Sequence, residues 1–126
     1  MSNEIKVQVG VQVKKDGIEL VTRPLVRQNI DMGGDYTSSK IQLIGTSEES
    51  LEIGSDVAIA GFGLFRNLDT AAGNKIQIGT LESSTFVPFV ELHVGDPPAL
   101  IPLYSLDLYA LATLSAARLQ FDVFER

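Results

Sequence analysis

The chain has 126 residues, with no cysteine, no tryptophan and one histidine, and its 10 basic and 16 acidic residues leave a net charge of −6. A chain of this length makes one domain, 1–126, able to bury about two-thirds of its unfolded surface without a metal or disulfide staple. The composition excludes a disulfide framework, a thiolate nucleophile and any cysteine-based metal site. The cations Lys14-Lys15, Arg23, Arg27, Lys40, Arg66, Lys75 and Arg118 are scattered rather than gathered into the basic patch that nucleic acid requires.

The opening Met1-Ser2-Asn3-Glu4 has neither the basic nor the apolar region of a signal peptide. No stretch approaches the roughly 18 apolar residues of a membrane span. We therefore expect a protein made and kept in a cytosol, or delivered by assembly, with no membrane partner.

The first run fixes the fold class. Ile5, Val7, Val9, Val11 and Val13 alternate with Lys6, Gln8, Gly10, Gln12 and Lys14. Successive side chains of a strand point to opposite faces, so this run has one apolar and one polar face, as in an antiparallel sheet. Residues 4–14 and 17–24 predict a hairpin across Lys15-Asp16-Gly17. Pro24, which cannot donate to a ladder, is expected to end the second strand, with 25–31 continuing as an edge.

Further strands are predicted at 39–45, 50–53, 58–67, 74–79, 86–94, 99–104, 106–112 and 117–125. They are separated by turn signals at Met32-Gly33-Gly34-Asp35, Gly45-Thr46-Ser47, Gly54-Ser55-Asp56, Ala72-Gly73-Asn74, Gly79-Thr80 and Gly95-Asp96-Pro97-Pro98. Residues 103–117 fit two patterns. Leu103, Leu106, Leu111 and Leu114 suit an amphipathic helix, whereas Leu106, Leu108, Ala110 and Ala112 suit a strand; strand neighbours on both sides favour the latter. The closing run, with Leu119, Phe121 and Val123 in alternation, repeats the opening pattern and suggests that the two terminal strands pair. The expected core is Val7, Val9, Val11, Phe62, Leu64, Ile76, Ile78, Leu119, Phe121 and Val123. The fold expected is an all-β, jelly-roll-like antiparallel sandwich of about eight to ten strands.

Chemistry is harder to find. His93, in Glu91-Leu92-His93-Val94, has no second histidine to share a metal and no Gly-x-Ser-x-Gly turn to activate. Glu48-Glu49 with Glu52 and Asp56 lacks the spacing of a calcium loop and reads as a solvated turn. Gly61-Phe62-Gly63 precedes a strand rather than a helix, so it reads as a bulge or a close approach of another backbone, not as a phosphate cradle. Tyr36, Tyr104 and Tyr109 are the candidates for stacking a sugar, and they do not cluster in sequence. We expect no catalytic residue, no cofactor and no metal.

Apolar edges are the remaining signal. Phe86-Val87-Pro88-Phe89-Val90 is a strand with a central proline, which belongs at a sheet edge or bulge. Leu100-Ile101-Pro102-Leu103-Tyr104 adds apolar area that one small domain does not readily bury. The candidate interface residues are Phe86, Val87, Pro88, Phe89, Leu100, Ile101 and Tyr104.

Several stretches resemble a group of small structural proteins of tailed bacteriophages. They are Gly45-Thr46-Ser47-Glu48-Glu49-Ser50-Leu51-Glu52-Ile53-Gly54, Phe65-Arg66-Asn67-Leu68-Asp69 with Asn74-Lys75-Ile76-Gln77-Ile78-Gly79, and Phe86 to Leu92 with Gly95-Asp96. The closing Leu119 to Glu125 and, more loosely, Asn3 to Val9 are also similar. Pro97-Pro98 departs from the pattern by extending the turn after Gly95-Asp96. The resemblance implies a non-enzymatic β-sandwich part of a virion, made in the host cytoplasm. The expected role is capsid decoration, with a tail or head–tail connector subunit, or a carbohydrate-binding module, as alternatives. The implied partners are further copies of the chain, in a trimer suited to local three-fold positions, and the major capsid protein or another virion protein.

Overall fold

The computed structural model describes residues 4–34 and 36–126. Asp35, the last residue of one expected turn, and Met1, Ser2 and Asn3 lie outside the described residues. The described chain is all-β, as the alternation requires. Ten strands occur among the described residues: β1 (Ile5–Lys15), β2 (Ile18–Ile30), β3 (Thr37–Ile44), β4 (Glu49–Ser50), β5 (Phe62–Asn67), β6 (Ile76–Glu82), β7 (Thr85–Leu92), β8 (Ala99–Pro102), β9 (Tyr109–Ala112) and β10 (Ala117–Phe124). All pairs are antiparallel, in three sheets ordered β1-β2, β3-β10-β5-β8 and β4-β9-β6-β7. The chain divides into two compact units, one built on β1 and β2 and the other spanning Gly34–Glu125.

The first unit is a long hairpin. Asp16 and Gly17 both adopt positive φ, 52° and 77°. That is the geometry of a two-residue turn whose twist matches the flanking strands, and Asp-Gly suits it. Val9 pairs with Val26 and Val13 with Val21. Opposed partners share a face, so one face carries Ile5, Val7, Val9, Val11 and Val13 beside Val21, Val26 and Ile30. Pro24 does not end β2. The register shifts between Val9 and Val11, so that Pro24 and Leu25 stand opposite Gly10 in a bulge, where a ladder donor is not needed.

The expected burial of this face is found only at one end, where Ile5 is buried. Val7 is half-buried, while Val9 and Val11 are 55% and 47% exposed. Alternation decides which side chains share a face, but a two-stranded sheet brings no second layer of its own to cover them.

In the second unit the inner residues of both four-stranded sheets form one core. Ile44, Phe65, Leu119, Phe121 and Val123 come from one sheet, and Ile76, Ile78, Leu92, Ala110 and Ala112 from the other. In β5 the expected phase is off by one. Gly63 and Phe65 oppose Val123 and Phe121, so Phe65 points into the core and Phe62 and Leu64 point away. A one-residue shift exchanges the faces. Phe62 is still covered, because its ring stacks on Phe124 with centroids 6.0 Å apart. Gly63 is neither a bulge nor a backbone crossing: a Cβ there would fall 2.5 Å from the Phe65 ring.

Residues 103–117 contain β9, and no helix occurs among the described residues. Leu108, Ala110 and Ala112 are buried, in the strand phase. The expected pairing of the terminal strands is not formed. β10 has β3 on one side and β5 on the other, whereas β1 pairs with β2 alone.

Polar groups lock the ends of this second unit. Buried Asn74 donates from Nδ2 to Asp69 Oδ2 (2.7 Å) and the Ser115 carbonyl (2.8 Å), and its Oδ1 accepts from the Leu114 amide (3.1 Å). Buried Asn67 donates to the carbonyls of Asn74 (3.2 Å) and Leu92 (3.1 Å). Together they clasp the β5–β6 and β9–β10 connections to the end of β7. At another loop, the buried Glu125 carboxylate accepts from the amides of Tyr36, Ala58 and Ile59 at 2.8–3.1 Å. An unsatisfied buried polar group costs roughly 1–3 kcal/mol, so Asn74→Ala is expected to lower the unfolding free energy by at least about that much in a denaturant titration.

Candidate functional site

The sequence marks Phe86 to Phe89 as an edge or bulge, and β7 is both. It is the outermost strand of its sheet and pairs with β6 alone. Ser83 and Ser84, with φ of 51° and 67°, make the two-residue turn that joins β6 to β7. Gly79-Thr80 is therefore not a turn; it lies inside β6. Ile78 pairs with Val90 and Gly79 with Pro88, which leaves Phe89 as the extra residue of a bulge. The strands pass so closely there that a Cβ on Gly79 would sit 2.1 Å from the Val87 carbonyl oxygen. Glycine is the residue that admits this approach.

β8 is the outermost strand of the other sheet and pairs with β5 alone. A cleft of about 380 Å³ joins residues of these two edge strands. Val87 and Phe89 line it from β7, Ile101 and Pro102 from β8, and Leu103, Tyr104 and Leu108 from the segment that follows; Thr80 and Glu82 of β6 and Ser105 complete it. Four of the seven candidate residues, Val87, Phe89, Ile101 and Tyr104, thus meet in one place. Phe86, Pro88 and Leu100 do not line the cleft. Phe86 is half-buried opposite Leu81, and Pro88 is exposed opposite Gly79. Leu100 neighbours Ile101 on β8 and so points to the other side.

Leu103, part of the apolar 100–104 run, and Leu108 are lining residues outside the candidate interface set. Both are buried, and backbone hydrogen bonds fix their positions: Leu103 donates to the Gly61 carbonyl and Leu51 donates to the Leu108 carbonyl, each at 2.8 Å. They form the floor of the cleft. Tyr104, at 81% exposed, stands at its mouth. This arrangement offers apolar contact and a strand edge on either side, with Glu82 the one charged group among the lining residues.

The polar candidates have ordinary surroundings. His93 is exposed just past β7, with Nε2 3.1 Å from Glu91 Oε2 and its amide donating to Asp96 Oδ2 at 2.8 Å. Hydrogen bonds from Gln77 and then His93 hold the Glu91 carboxyl below the usual carboxylate range. Glu49 accepts from Gln42 Nε2 and the Gly45 amide, closing its own turn, and Glu52 pairs with Lys40. Among the described residues no three His, Asp or Glu side chains gather as a metal site. Tyr36, Tyr104 and Tyr109 do not form a platform: Tyr109 is a half-buried residue of β9, and only Tyr104 lines the cleft.

Compared with known proteins, the chain matches no family model, no curated protein and no solved structure.

Proposed function

We propose that this protein is a non-enzymatic structural subunit of a tailed-phage virion, a decoration protein that docks on the outer capsid lattice as a homo-oligomer. The observation that carries the proposal is the cleft between β7 and β8, where Val87, Phe89, Ile101 and Tyr104 converge, open to solvent, beside two strand edges. Apolar surface beside an unpaired edge gains from being covered by another chain.

The residues that resemble phage structural proteins have structural roles that fit such a part. Asn67, Asp69 and Asn74 form the polar clasp, Gly79 admits the close approach of β7, Glu49 closes the turn at Gly45, and Glu125 gathers three amides. They shape a scaffold and its edge; none is arranged to attack, protonate or ligate a substrate. On this reading the two four-stranded sheets are a jelly-roll-like sandwich, the chain acts without cofactor or metal, and the major capsid protein is its partner on the particle.

The virion proposal is tested by an electron-microscopy map of the phage that encodes the chain. Density for the eight-stranded unit repeated at capsid lattice positions supports it. Density confined to the tail moves the protein to that part of the particle, and a virion without it overturns the proposal.

The same reading gives a solution test. Phe89 is partly exposed in a bulge. Phe89→Lys is therefore expected to lower the light-scattering mass from that of a trimer toward a monomer, while unfolding stability stays within about 0.5–1 kcal/mol of the parent. Loss of fold and oligomer together would show that the site is core rather than interface.

A further inference from the structure

We infer that the β1–β2 hairpin is an assembly arm whose apolar face docks on the β7–β8 cleft of a second copy of this chain. The inference rests on the assembly reading of that cleft and names its occupant.

The hairpin demands a cover. At about 3.3 Å per residue β1 is roughly 35 Å long, and two strands make a face about 10 Å wide, so the apolar strip is of the order of 350 Å². Val9, Val11, Val13, Val21 and Val26 on that strip are all exposed. A hairpin without a third strand or a second layer is marginal in water.

Charge selects the occupant. Residues 5–30 hold five of the ten basic residues and two of the sixteen acidic ones, a net charge of +3; the rest of the chain holds five basic and fourteen acidic, a net charge of −9. The register places Arg23 opposite Val11 and Lys15 opposite Ile18, so both cations border the apolar face, while Glu19 opposes Lys14 on the other side. The cleft lining has no cation and one carboxylate, Glu82. Two hairpins meeting face to face would set like charges together, whereas hairpin on cleft sets opposite charges together.

Hairpin on cleft joins two different surfaces, which is a heterologous contact; such a contact closes into a ring, such as a trimer, where the rotation between copies closes, and otherwise gives an open chain of copies.

The natural absence of cysteine allows a direct test by disulfide trapping with single-cysteine chains. Val11→Cys chains are mixed with Phe89→Cys chains under mild oxidation, with Leu114→Cys, an exposed site away from the cleft, as control. Each chain carries one cysteine, so every bridge is between copies. The expected result is a Val11–Phe89 heterodimer in excess over both homodimers and over the Leu114 control. Val11→Glu is expected to weaken self-association by about tenfold or more, and Arg23→Glu to weaken it with partial rescue by Glu82→Arg. An oligomer that yields only Val11–Val11 bridges, or no bridge involving position 11, overturns the arm and leaves the assembly reading standing. A chain that stays monomeric at high concentration and yields no specific bridge overturns both.

Discussion

A pair of antiparallel strands saturates hydrogen bonds along one shared ladder and leaves the outer edges and both faces open. In β1 and β2 that limit meets a sequence that places isoleucine or valine at every position of one β1 face from Ile5 to Val13. Only Ile5 of that run is buried. The Asp16-Gly17 turn and the bulge at Pro24 fix the register and so decide which side chains share the apolar face. An exposed apolar strip of this kind gains from being covered, which is the ground for the proposed assembly role.

The eight-stranded unit solves the burial problem for itself and then stops at its edges. Phe65, Phe121, Ile76 and Ile78 are fully buried between its two sheets. The Asn67–Asn74 clasp and the Glu125 anchor satisfy loop amides and carbonyls that the ladders do not reach. Both sheets nevertheless end in an apolar strand, β7 and β8, and the bulge at Phe89 keeps β7 tight against β6 while presenting its side chains at the cleft. A buried core with open apolar edges is the feature on which the proposed assembly role rests. In the inferred hairpin-on-cleft contact, opposite charge would supply orientation, since apolar contact alone does not distinguish hairpin on hairpin from hairpin on cleft.

Much of this was legible in the residues because period-two alternation is local. Each strand was found near its expected place, and Pro88 pointed to an edge and a bulge that both exist. Features that depend on what lies opposite were not legible. Val9 and Val11 have a core-like pattern but lack a facing layer. Leu64 and Phe65 compete for the inward phase, and only the pairing with Phe121 decides for Phe65. Gly79 looks like a turn glycine, yet its role is steric, while the true turn is the unremarkable pair Ser83-Ser84. The floor of the cleft at Leu103 and Leu108 is set by hydrogen bonds to Gly61 and Leu51, which are distant in sequence. The charge imbalance of the hairpin is hidden when the whole chain is counted at once.

Backbone hydrogen exchange followed across a dilution series measures the shared shortfall most directly. A hairpin that is marginal alone exchanges quickly, and one covered by a neighbour does not. The account predicts that protection of β1 and β2 rises with concentration in step with that of the Val87 and Phe89 amides, while β10 stays protected throughout. Protection of β1 and β2 that is high and unchanged in the dilute monomer would contradict it.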